Sequence, residues 1–334
     1  RDTLAAFPAA GYYVLRSGWR AEGLPYQQAS HVVFDCGPVG RGNHGHLDAL
    51  SFEYFAGGQA LVVDPGRCTY DESGEQNWRV RFRGTAAHNT VEVDGRDQTR
   101  YEYVEKYGKF RLTGRGAECE LHHVLEGPGG KLVSASVHSH EYTAVHRRDL
   151  FLAAAGYLLI VDRLHDAVPR DYALRFQLAP AAQGQVQLTS GDAGVSVTAP
   201  GLVLHQLAVP RAVMTVEPSW VAPTYGERLP APRLRSDVRA TRATFVTVLA
   251  PDTLSALTLT ALHAPAGVVA VRVEHAGGAD VCCYAPSGAA HPLVYAGIGC
   301  EAEFAHFTSA AGGPARLTMT DVSAAVAIHG ETGR

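Results

Sequence analysis

The sequence predicts an all-β protein: a large antiparallel β-sandwich followed by a smaller C-terminal β domain. Three observations predict it. Apolar and polar residues alternate with period two along many short runs, Gly and Pro interrupt those runs at short intervals, and no long segment keeps the apolar period of a helix. His31-Val-Val-Phe-Asp reads as a strand ending at Cys36-Gly-Pro. Leu50-Ser-Phe-Glu-Tyr-Phe and Ala60-Leu-Val-Val-Asp flank Gly57-Gly58 as a hairpin, and Asn89-Thr-Val-Glu-Val runs into the tight turn Asp94-Gly95. Further strands are expected at Lys109 to Thr113, Leu132 to His138, Tyr142 to Leu152, Leu158 to Asp162, Tyr172 to Leu178, Gly194 to Thr198, Val213 to Val216 and Thr244 to Leu249. Pro218 to Pro232, rich in Pro and Gly, reads as a surface loop. Alternation resumes at Leu257 to Leu262, Val268 to Glu274, Val281 to Tyr284, Cys300 to Phe307 and Ala315 to Thr320. Many short strands with regular turns make a sandwich the expected architecture.

The 334 residues leave room for two domains of about 100–200 residues each. The expected division is a linker and first strand over 1–20, the sandwich over 21–250 and the small β domain over 251–334. Apolar residues make up 46% and charged residues 19%, which supplies a core and excludes a disordered chain. The longest apolar run, Leu150 to Val161, is broken by Gly156 and falls short of the about 18 residues a membrane span needs. The formal net charge is −4 and no block of basic residues occurs, so nucleic acid is not an expected partner. Six cysteines include no C-x-x-C pair and are expected as buried free thiols. The opening Arg1-Asp-Thr-Leu reads as the middle of a longer gene product, with no apolar leader.

The chemistry concentrates between residues 40 and 90. In Gly40-Arg-Gly-Asn-His-Gly-His-Leu-Asp, His44 and His46 stand two apart, which in a strand puts both on one face. Such a pair can hold a metal, or divide between metal binding and catalysis. Gly40, Gly42 and Gly45 permit tight backbone and close ligand approach. The other H-x-H, His138 and His140, lacks that setting and reads as surface. Asp64 ends an apolar run before Pro65-Gly66, where it either forms the turn or serves a site. His88 precedes the run at Val91. Taken together, His46, Asp64 and His88 are an N,N,O set of the kind zinc accepts, one ligand from each of three strands. Asp48 is placed to orient an imidazole or to make an ordinary polar contact. Arg67, Arg79, Arg81 and Arg83 lie nearby; the last three alternate, as on one strand face, and can meet a carboxylate or sulfate. Tyr70 is a candidate to stack on sugar, whereas Trp78 reads as packing.

Three motifs then carry a resemblance. Asn43-His-Gly-His-Leu-Asp-Ala-Leu-Ser-Phe, Leu61-Val-Val-Asp-Pro-Gly and Arg83-Gly-Thr-Ala-Ala-His-Asn-Thr-Val-Glu-Val-Asp-Gly, in this order and spacing, resemble the heparinase II/III-like polysaccharide lyases. Gly11-Tyr-Tyr-Val-Leu-Arg-Ser, His146-Arg-Arg-Asp-Leu and Leu158-Leu-Ile-Val-Asp-Arg add to the likeness, which covers roughly residues 11 to 250. The resemblance implies an N-terminal α/α toroid joined to a C-terminal β-sandwich, and β-elimination on uronic-acid-containing polysaccharides. It implies that His44 is catalytic and that His46, Asp64 and His88 bind a structural zinc. The toroid, which would carry the catalytic Tyr, has no counterpart in this sequence. The chain thus looks like the β half of such an enzyme, with an acidic polysaccharide as substrate, an upstream toroid as partner and the periplasm or cell envelope as its place.

β-Elimination removes the C5 proton of a uronate and expels the oxygen on C4. It needs a base, a neutralised carboxylate and an acid, and histidine suits such tasks because its pKa lies near working pH. The expectation is that His44 faces a sugar cleft while His46 faces the metal, with Tyr70 and Arg83 as substrate contacts. A non-catalytic module that grips acidic glycan is the alternative. A zinc hydrolase ranks third, because the sequence has no H-E-x-x-H.

Overall fold

The computed structural model describes residues 2–19, 23, 25, 28–40, 44–254, 256–286 and 289–321. The expected Gly42 and the Asn43 that opens the first motif lie outside the described residues, as do residues 322–334 of the C-terminal region.

Three antiparallel sheets form the body. The first contains β1 (Leu4–Phe7), β2 (Tyr12–Arg16), β3 (His31–Asp35), β4 (Phe52–Ala56) and β5 (Gln59–Val62), paired in chain order. A short helix, α1 (Trp78–Arg83), then leads to β6 (Val91–Val93) and to a separate two-stranded ribbon, β7 (Tyr101–Val104) with β8 (Lys109–Leu112). The central sheet is built from β9 (Glu118–Gly127), β10 (Gly130–His138), β11 (Val145–Ala153), β12 (Leu158–Gln177), β13 (Gln187–Gly191), β14 (Gly194–Ala199), β15 (Leu202–Val209), β16 (Val213–Val221) and β17 (Leu229–Pro251). Its order is β13-β14-β15-β17-β12-β11-β10-β9, with β16 on β17 and β6 on β12. The third sheet orders β18 (Thr258–Ala261), β19 (Val269–His275), β20 (Gly278–Tyr284), β23 (Phe304–Ala310) and β24 (Arg316–Thr320), with β21 (His291–Tyr295) and β22 (Ile298–Ala302) paired apart.

The sequence of the central strands explains their place. Leu150, Leu152, Leu158, Ile160, Phe245 and Leu249 face the first sheet and pack with its Leu15, Val32, Phe34 and Tyr54. The alternate residues Phe151, Leu159, Val161, Val246 and Val248 face the third sheet and pack with Val271, Val273, Cys282 and Phe304. A strand covered on both faces reads as a continuous apolar run, and this is why Leu150 to Leu152 and Leu158 to Val161 show no alternation. Polar links also tie the third sheet down. Tyr157 Oη donates to Asp280 at 2.7 Å, and Arg147 Nη2 donates to Glu303 at 3.1 Å.

Four local expectations change. Pro218 to Pro232 is not a loop, because β16 and β17 form a hairpin through it in which Pro218 lies opposite Pro232. The two residues that lack an N–H share one rung, and β16 is an edge strand, where proline is tolerated. Arg79, Arg81 and Arg83 do not share a strand face. Asn77 Oδ1 accepts from Val80 N at 3.0 Å and caps α1, which carries all three. Cys300 to Phe307 divides into β22 and β23 around Glu303. The fourth change concerns residues 44 to 51, which form no strand.

A segment with no ladder must satisfy its backbone elsewhere. Here backbone carbonyls take the N–H groups of Leu47, Leu50 and Ser51, and side chains take the carbonyls. Arg83 Nε donates to the Gly45 carbonyl at 2.7 Å, Thr85 Oγ1 to that of Leu47 at 2.7 Å, and Thr90 Oγ1 and Gln98 Nε2 to that of Ala49 at 2.9 and 3.0 Å. Arg148 Nη1 donates to Leu50 O at 2.6 Å and also to Asn89 O. Arg148 is fully buried on β11, and its Nε and Nη2 donate to the two oxygens of Asp162 on β12 at 2.7 and 3.2 Å. Replacing Arg148 with Met leaves Asp162 buried with His146 as its remaining partner. The expected cost is about 3–5 kcal/mol of folding stability, read as a fall in the urea midpoint.

Candidate functional site

Three loops converge beside the first sheet. Asp64 lies two residues past β5, in a turn that is locked across to Ala222, whose N–H donates to Pro65 O at 2.7 Å. Gly66 has φ +76°, and a Cβ there would meet Ala222 O at 2.3 Å. One Asp64 oxygen accepts from Gly66 N at 2.8 Å, and the other lies 2.8 Å from His88 Nδ1. Asp64 therefore forms the turn and meets His88 at once. His88 follows a 3-10 turn (Thr85–Ala87), and the next residue holds the junction together. Asn89 Nδ2 donates to Phe52 O and Val63 O at 2.8 and 2.9 Å, while its Oδ1 accepts from Gln177 N at 2.6 Å. His46 comes from the strapped segment. Gly45 beside it is required by close approach, since a Cβ would stand 1.6 Å from Val39 O.

The structure brings His46, Asp64 and His88 together, with one potential donor atom from each within 4.8 Å of the others. None of the three sits in a strand, contrary to the expectation of one ligand per strand. Two imidazole nitrogens and a carboxylate oxygen suit zinc. The His88 ring fits as well: it is fully buried, and its Nε2 has no hydrogen-bond partner. Asp48 stands 4.0 Å from His88 Nδ1, within ion-pair reach and beyond hydrogen-bond length.

Charge is distributed unevenly over the three. Burial alone would lower the pKa of His88, but Asp64 and Asp48 outweigh it and raise the imidazole to about 9. Burial and the His88 charge push His46 down to about 4. Burial raises the Asp64 carboxyl, yet the His88 charge and hydrogen bond leave it below its ordinary value. Near neutral pH the metal-free set thus pairs an imidazolium at His88 with a neutral His46 and an ionised Asp64. A cavity of about 550 Å³ opens beside it, with Tyr12, Asp35, His44, His46, Asp48 and Asp64 among its lining residues. Burial first, and then Asp48, raise Asp35 to about 6.

His44 is exposed and turns to Tyr70, whose Oη is 2.7 Å from its Nδ1. Arg67 Nη1 donates to the same hydroxyl, and the guanidinium carbons of Arg67 and Arg79 each lie 4.5 Å from the Tyr70 ring centroid. Arg79 also pairs with Glu72 at 3.3 Å. Arg83, expected at the substrate, is only 2% exposed and holds the Gly45 carbonyl from below. Trp78 packs with Phe82 and Trp220, and His138 and His140 are exposed, as expected. Reading the sequence missed Asp35, although it ends a strand before Cys36-Gly-Pro much as Asp64 precedes Pro65-Gly66. It also missed Tyr225, whose Oη accepts from Tyr70 N at 3.4 Å across 155 positions, a separation that leaves no local signal.

In the metal-free protein the sign of the His88 effect is fixed. Its folded value of about 9 lies above 6.5, so its stabilising contribution is complete below pH 6.5 and is lost as pH rises through about 9. The stability gap between the metal-free wild type and His88→Gln should therefore narrow over that range in urea titrations. A gap that stays constant would refute the imidazolium–carboxylate pair.

Comparison with known proteins supplies context. The family profile described as "Heparinase II/III-like, C-terminal" matches residues 1–253. A "Heparin-sulfate lyase" of Bacteroides thetaiotaomicron is 28% identical over 196 residues, covering 58% of this chain and 25% of that protein. Another, of Bacteroides stercoris, is 24% identical over 235 residues, covering 66% and 30%. Among solved structures, a heparinase III, the BT4657 gene product, superposes with a TM-score of 0.68 at 20% identity, over 85% of this chain and 42% of its own. A heparan sulfate lyase HepC mutant from Pedobacter heparinus gives 0.67 at 20% identity, over 84% and 42%. These structures share the fold, and the chain spans less than a third of the two lyase sequences.

Proposed function

The chain belongs to the heparinase II/III-like, C-terminal family, and from that premise we propose that it is the β portion of a polysaccharide lyase acting by β-elimination on uronic-acid-containing glycans. The observation that carries the reading is the contact of His44 with Tyr70 directly beside the His46, Asp64 and His88 cluster.

Arg67 can only donate, so the Tyr70 oxygen accepts from it and the Tyr70 proton is free to go to His44 Nδ1. His44 then carries its own proton on Nε2, the nitrogen turned from Tyr70. An N–H there meets the uronate carboxylate and withdraws charge from it, which makes the C5 proton easier to remove. Arg67, exposed beside the Tyr70 ring, favours an anionic sugar there, while buried Arg79, paired with Glu72, supports the ring. Arg83 acts one step back, fixing the carbonyl between His44 and His46. His46, Asp64 and His88 would hold zinc, whose contribution when bound is to tie three loops into one rigid support. The C5 base and the remaining acid belong to the part of the relatives that this chain does not span, an upstream helical domain in this reading.

Two substitutions separate the roles. In the full-length protein, His44→Ala is expected to lower turnover of heparan sulfate or alginate by about a hundredfold or more, followed by the ultraviolet absorbance of the unsaturated uronate, with zinc content unchanged. His46→Ala is expected to lose the zinc itself, measured by elemental analysis. Full turnover in His44→Ala would remove it from the chemistry. Polymer binding without any unsaturated product from the wild type would favour a non-catalytic glycan-gripping module.

A further inference from the structure

Residues 101–112, Tyr-Glu-Tyr-Val-Glu-Lys-Tyr-Gly-Lys-Phe-Arg-Leu, hold two of the three lysines in the chain. They fold as the β7–β8 ribbon, which among the described residues pairs with no other sheet. Its register places Tyr101 opposite Leu112 and Tyr103 opposite Phe110, so these side chains share one face. The Phe110 ring lies 5.5 Å from that of Tyr101 and 5.7 Å from that of Tyr103. At the tip, Arg111 and Lys106 approach the Tyr107 ring at 5.1 and 5.5 Å. Tyr103 is 56% exposed and Tyr107 53%. Two large rings are thus left open on one ribbon, Tyr103 on the Phe110 face and Tyr107 at the tip beside Arg111. In a chain of net charge −4, the ribbon sets Lys106, Lys109 and Arg111 against Glu102 and Glu105.

The root of the ribbon is joined to the site. Glu72 accepts from Phe110 N at 2.8 Å and pairs with Arg79, which stacks on Tyr70. The Arg83 guanidinium lies 4.5 Å from the Tyr101 ring centroid. Buried Arg79, Arg83 and Tyr101 thus anchor the root of the ribbon to the framework that carries Tyr70, while its tip stays open.

We propose that the β7–β8 ribbon is a distal subsite for the acidic polysaccharide, an inference that rests on the function proposed above. Tyr103 and Tyr107 offer ring faces to sugar units away from the cleavage point, and Lys106 and Arg111 pair with their carboxylate or sulfate groups. Tyrosine suits the task because it combines a rigid apolar face with a polar tip. A subsite at this distance engages long chains and leaves short ones untouched.

The test uses the full-length protein carrying Tyr103→Ala with Tyr107→Ala, and titrates heparan sulfate, alginate and hyaluronan polymers alongside tetrasaccharides cut from each. The polymer Kd should rise about tenfold, while tetrasaccharide binding and thermal stability stay unchanged. Tyr103→Phe with Tyr107→Phe should stay within about twofold of wild type, since the ring faces remain, and Lys106→Gln should weaken the salt dependence of polymer binding. Polymer affinity unchanged in the alanine variant overturns the subsite alone, as does an equal loss for polymer and tetrasaccharide. A wild-type dimer that the alanine variant breaks, with polymer affinity intact, assigns the face to a second copy and overturns the proposal. A wild type that binds none of the polymers overturns the proposed function as well.

Discussion

The fully buried guanidinium of Arg148 is the interaction on which the site depends. It reaches from the central sheet to the carbonyls of Leu50 and Asn89, so one side chain fixes the segment that ends after His46 and the segment that begins at His88. Asp162 neutralises it on the neighbouring strand. Asn89 extends the reach to Phe52 and Val63, and thereby to the Asp64 turn. Three loops are referred to one point in the buried centre of the sandwich. The cost of burying the charge is offset because Arg148 donates to both oxygens of Asp162 and to two backbone carbonyls.

This arrangement also explains how much could be read in advance. The all-β class was legible because turn residues and alternation are local signals. The meeting of His46, Asp64 and His88 was legible only through three motifs, since their convergence depends on contacts across tens of residues. The strand placement of His44 and His46 failed because period-two spacing says nothing about whether a ladder partner exists. In fact Thr85, Thr90, Gln98 and Arg148 replace the ladder, and polar residues at those positions looked ordinary. Arg79, Arg81 and Arg83 misled in the same way: a cap at Asn77 turns an apparently alternating run into one helical turn and a half. The Pro218 to Pro232 region reads as irregular until Pro218 and Pro232 are seen on one rung.

The electrostatics divide the site into unlike sides. Asp35, Asp48 and Asp64 border the cavity, whereas Arg67 and Arg79 gather around Tyr70 and His44. An acidic sugar is repelled by the first and drawn to the second. The carboxylates suit a cation or a proton, and the arginine side suits an anion. His44 and His46, with one glycine between them, both line the cavity, and His44 alone also meets Tyr70.

The double coverage of the central sheet bears on how this polypeptide can be handled in the laboratory. The family match ends at residue 253, just after β17, and invites truncation there. Yet Phe151, Leu159, Val161, Val246 and Val248 are shielded by strands that come later. A shortened recombinant product would present that greasy surface to water and to its own copies, with inclusion bodies as the natural result. The cloning boundary that preserves solubility lies beyond β24, some seventy residues past the point that homology alone would suggest.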